Sequence, residues 1–154
     1  MNKVNPFLYE NIDNSNHWII SEIILNQCKQ HPNNKIIQFV DGPEWSFDDL
    51  KNIAFEKAKT LRDLSINQGD TVTVMVDDPV DFIPYWVASS FLGVMFVALN
   101  TALKGSVLLH QIRLANSNVI IVSDVYYEDV AQLVQENKSK IKVLNCSKLK
   151  STGM

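Results

Sequence analysis

The side chains with most capacity for chemistry are carboxylates in adjacent pairs: Asp48-Asp49, Asp77-Asp78 and Glu128-Asp129. Each pair stands where a helix is expected to begin, and negative charge there is favoured by the positive end of the helix dipole. That electrostatic role accounts for all three pairs without catalysis. Asp124 is placed differently. It follows the apolar run Val119–Val122, and the carboxyl ends of strands are where doubly wound sheets bind ligands. The histidines, His17, His31 and His110, lack metal-ligand spacing to one another or to cysteine. His110 has apolar neighbours and reads as a helix-surface or second-layer residue. Cys28 and Cys146 are far apart and without metal spacing, as expected of thiols in a reducing cytoplasm. Gly69, Gly93 and Gly105 are isolated, so neither the dinucleotide fingerprint nor the P-loop is present. Ser151-Thr152-Gly153 is a chance match. Groups of the Ser/His/Asp or Cys/His kind meet in space rather than in sequence. No catalytic, cofactor-binding or metal-binding residue is therefore assigned.

The elements that would position such groups come next. The 154 residues suit one domain with a real core. A hydrophobic share of 46% and a charged share of 20% place the chain among ordinary globular proteins. The net charge of −3 argues against nucleic-acid binding, which normally needs a concentrated basic patch. Basic residues gather only near the C-terminus, at Lys138, Lys140, Lys142, Lys148 and Lys150. They read as a solvated end rather than a membrane or nucleic-acid contact. Residues 1–7 lack the apolar region of a signal peptide. No apolar run approaches the roughly 20 residues that cross a bilayer. The expected location is cytoplasmic.

Residues 1–16 are polar, rich in Asn and aperiodic, and read as a flexible lead-in. Trp18, Ile19, Ile23 and Ile24 recur at helical spacing, with Ser15 or Asn16 as a cap. Pro32 ends that helix. Ile36–Val40 is a predicted strand, and Trp45-Ser46-Phe47 a short strand pairing back on it. Ser46 with Asp49 has capping-box spacing ahead of the stripe Leu50, Ile53, Ala54, Ala58, Leu61 and Leu64. Thr71–Val76 is a predicted strand. A helix apolar nearly all round is expected from about Asp81 to Leu92, with Pro84 in its first turn. Such a helix is usually sandwiched between layers, and in a chain this short that implies a covering layer outside these residues. Phe91–Thr101 turns on Gly93 into a run apolar at every position. That is the pattern of a strand buried on both faces, parallel and central. Ser106 is the expected cap of a helix through Ala115. Val119–Val122 is a second strand buried on both faces, a helix follows through Val134, and Ile141–Leu144 is a last strand. Beyond it the chain is expected to fray. Strands alternating with helices imply parallel βαβ units, hence an α/β fold with a mostly parallel doubly wound sheet flanked by helices.

This arrangement resembles the start of the acyl-adenylate-forming enzymes, the AMP-forming acyl-CoA synthetases and their relatives. The resemblance rests on Phe47, on Asp49-Leu50 opening a helix, and on Gly69-Asp70 before a Val-rich strand. It rests also on Gly93 followed by an apolar strand and Asn100, with Ala98 where the family usually has Pro. Asn100 through Gly105, followed by Leu108-Leu109-His110, is most similar to the fatty-acid transport and carnitine-type CoA ligases. The match covers residues 17–145 as a partial N-terminal AMP-binding domain, leaving 146–154 as a frayed tail. It implies a whole enzyme that makes acyl-CoA from a carboxylic or fatty acid with ATP, Mg and CoA. The family's ATP loop, its ribose- and metal-holding acids and its mobile C-terminal domain come later, so no cofactor is expected in these residues and no activity from them alone. Exposed apolar surface would then favour self-association. The alternative is a stand-alone, non-catalytic, flavodoxin-like binding module.

Overall fold

A computed structural model describes residues 19–150. The lead-in, His17, Trp18, the caps Ser15 and Asn16, and Ser151-Thr152-Gly153 lie outside the described residues. The chain divides between Asn52 and Ile53 into two compact units.

In the first unit, helix α1 spans Ile20–Gln30 and buries Ser21 and Ile24. It closes where the His31 amide donates to the Gln27 carbonyl at 2.7 Å, directly before Pro32. Strand β1, Lys35–Gln38, pairs antiparallel with β2, Glu44–Ser46, as predicted. β1 stops short of Val40, which is 93% exposed in the turn. The rings of Phe39 and Trp45 pack edge to face at 4.6 Å and close this hairpin. Helix α2, Phe47–Asp63, opens in this unit with the predicted capping box, and its residues from Ile53 on, Leu61 among them, belong to the second unit. The Asp49 amide donates to Ser46 Oγ at 3.1 Å, and the Ser46 amide donates to Asp49 Oδ2 at 2.9 Å.

In the second unit the elements are β3 (Thr71–Met75), α3 (Pro79–Leu92), β4 (Met95–Ala98), α4 (Gly105–Ala115), β5 (Val119–Val122), α5 (Asp124–Glu136), β6 (Lys142–Asn145) and α6 (Cys146–Lys150). The four strands form one sheet in the order β4-β3-β5-β6, parallel throughout. Alternate residues feed two cores, as a two-residue side-chain period requires. Val72, Val74, Val119 and Ile121 pack with Leu61, Tyr85 and Ala88. Met75, Ile120 and Val122 pack with Leu108, Ile112, Val130 and Val134. Helices therefore cover both faces of the sheet, which is the doubly wound α/β arrangement.

Several expectations change. β4 is an edge strand, not the central one, and Met95 at its start is 58% exposed. The centre belongs to β3 and β5, and β5 is buried at all four positions. Nor is β4 buried on both faces: Met95 and Ala98 are exposed and Phe96 and Val97 half-buried, so an apolar run by itself reports neither burial nor rank in the sheet. Rank follows from the winding, which goes outward to β4 and then back across β3. Helix α3 begins at Pro79 rather than near Asp81, because Asp78 caps it by accepting from the Val80 amide at 2.8 Å. Pro84 consequently sits inside the helix, where its ring removes the bond to the Val80 carbonyl. Along α3, Pro84, Tyr85, Val87, Ala88 and Ser89 are buried, while Trp86 is 44% exposed, in keeping with a covering layer absent from the described residues. It ends on Gly93 at φ +66°, a left-handed cap that glycine adopts without strain. α4 starts one residue before Ser106, with Lys104 at the cap position and no side-chain cap bond. Cys146–Lys150 is a short helix and does not fray. Asn145 Oδ1 accepts from the Ser147 and Lys148 amides at 3.0 and 3.2 Å, and Cys146 is buried in the core.

Candidate functional site

From β3 the chain crosses to β4 on one side, and β5 then adds on the other. The gap between β3 and β5 is thus the topological switch point, and the crevice beyond their carboxyl ends is where open parallel sheets hold ligands. Two loops line it, Asp77-Asp78 after β3 and Ser123-Asp124 after β5. Their side chains are tied together. Ser123 Oγ donates to Asp77 Oδ1 at 2.7 Å, Tyr126 OH donates to Asp77 Oδ2 at 3.3 Å, and the Asp77 amide donates to Ser123 Oγ at 3.2 Å. The Ser123 amide donates to the Met75 carbonyl at 3.1 Å, which continues the β3–β5 ladder into the loops. The hydrogen bond from Ser123, with those from Tyr126 and the backbone, holds the Asp77 carboxyl below the ordinary carboxylate range.

The crevice encloses about 270 Å³ between Asp77, Asp78, Asp81, Ser123, Asp124 and Cys146. Asp78 caps α3, Asp81 lies in the first turn of α3, and Asp124 in the first turn of α5. These acids answer two helix N-termini that meet here, as sequence position suggested. Tyr85, from α3, is fully buried. Its hydroxyl has no oxygen or nitrogen partner among the described residues, and burial, with Cys146 and Asp81 nearby, pushes its ionisation well above the usual phenol value. Among the described residues no three His, Cys, Asp or Glu side chains converge as a metal ion requires. The crevice is suited to holding a polar group, and the hydroxyl–carboxylate contact between two of its lining residues, Ser123 with Asp77, ties the two loops together.

The remaining candidates scatter. Asp48 bonds Lys51 and Asn52, and the Lys51 hydrogen bond lowers its carboxyl pKa. Asp49 is spent on the capping box, whose backbone bond lowers its pKa in turn. Glu128 and Asp129 lie in the second turn of α5, not at its start, because that helix begins at Asp124. His110 is exposed on α4, as expected. The Cys28 thiol donates to the Phe47 carbonyl at 3.1 Å, and burial raises its pKa, the opposite of a reactive cysteine. Neither cysteine is in a disulfide. Asp124 falls where the sequence placed it, at the crevice. Asp77, Ser123 and Tyr126 were missed as a group, because their meeting depends on strand order; the legible part was that two of them follow strand ends. No helix among the described residues is long and apolar enough to cross a membrane.

Comparison with known proteins gives these pieces a common setting. The family model described as AMP-binding enzyme matches residues 24–152. The 2-succinylbenzoate–CoA ligase of Oceanobacillus iheyensis is 29% identical over 110 residues, covering 71% of this chain and 22% of that protein. Long-chain fatty acid transport protein 6 of Homo sapiens is 24% identical over 120 residues, covering 77% of this chain and 19% of that protein. This chain thus spans about a fifth of the length of these curated relatives. The crystal structure of VinN has a similar fold, with a TM-score of 0.78 at 18% identity over 86% of this chain and 34% of VinN. So does a long-chain-fatty-acid CoA ligase structure from Rhodopseudomonas palustris, at 0.75 and 16% identity over 85% of this chain and 36% of that one. With a family model spanning most of its length and a fold shared with these structures, the chain belongs to the family of AMP-binding enzymes.

Proposed function

We propose that this chain is the N-terminal part of an AMP-forming acid–CoA ligase acting in the cytoplasm. In that reaction a carboxylate oxygen attacks the α-phosphate of ATP and expels pyrophosphate. The thiol of CoA then attacks the acyl-adenylate and releases AMP. The family match across residues 24–152 carries the reading. Relatives named as CoA ligases support the CoA half of it.

Within such an enzyme these residues act as scaffold. Adenylation depends on groups placed around the α-phosphate and its metal. The strand-end crevice does not fit that task. Its four carboxylates repel a triphosphate, and no three donors converge on a cation among the described residues. No step of the reaction is therefore assigned to it, and the 154 residues alone are inactive. Titration of the purified chain with ATP and magnesium, followed by calorimetry and amide NMR, tests this reading. The expected result is no saturable heat and no shifts. Saturable binding with shifts at Asp77 and Asp124 would overturn it.

A further inference from the structure

We draw no further inference here: the strongest candidate, the surface patch on α2 and α3 where the rings of Phe55 and Phe91 meet at 4.6 Å and line a hollow of about 270 Å³, carries none because nothing in the structure shows what covers it.

Discussion

Tyr85 and Asp77 stand a few residues apart in sequence and make opposite demands on their surroundings. Tyr85 buries a hydroxyl that gains no oxygen or nitrogen partner among the described residues. A hydrogen bond with the Cys146 thiol, a weak partner, offsets only part of the roughly 1–3 kcal/mol that an unpaired buried hydroxyl costs. Tyr85→Phe keeps the ring and removes that cost, so it is expected to leave stability unchanged or raise it by about 1 kcal/mol, read from urea unfolding. Asp77 is held by Ser123 and Tyr126 in its ionised form, with its folded carboxyl titrating below the unfolded one. Its contribution is complete at neutral pH and lost as pH falls from the ordinary carboxylate range through the lower folded value. Ser123→Ala is expected to cost about 0.5–1.5 kcal/mol at pH 7. Between the wild type and this variant the difference should shrink in acid. A difference that grows in acid would contradict the assignment.

Helix and strand boundaries show which forces local sequence reports. The capping box of α2 is written in two residues three apart, Ser46 and Asp49, and forms as read. Ser46→Ala is expected to cost about 1 kcal/mol, measured by thermal or urea unfolding. The α3 boundary is harder, because two prolines compete for its first turn. The carboxylate of Asp78 decides in favour of Pro79 and leaves Pro84 in the interior. For β4, composition reports apolar side chains but cannot say how many strands lie beyond, so an edge strand was read as central. The tie of Asp77 to Ser123 spans 46 residues, and only the winding order brings it about. Hydrogen exchange distinguishes these roles. Slow exchange is expected in β3 and β5, which have strand neighbours on both sides, and faster exchange in β4. Equal protection of β4 and β5 would contradict the edge placement.

At the scale of the molecule, the four-stranded parallel unit has a full core on both faces and belongs to a family whose curated relatives are several times its length. Its open strand-end crevice is acidic, and Ser123 and Tyr126 hold the Asp77 carboxylate at its edge. Its four carboxylates disfavour a nucleotide triphosphate, and the proposed function accordingly makes these residues the scaffold of an adenylating enzyme, with the reacting groups elsewhere. ATP–pyrophosphate exchange tests that claim most directly. It would be run on the purified chain with a panel of aromatic, short-chain and long-chain carboxylic acids, after a cooperative melt has verified folding. Exchange indistinguishable from the protein-free background is expected with every acid. Acid-dependent exchange above that background, abolished by Asp77→Asn or Asp124→Asn, would contradict it.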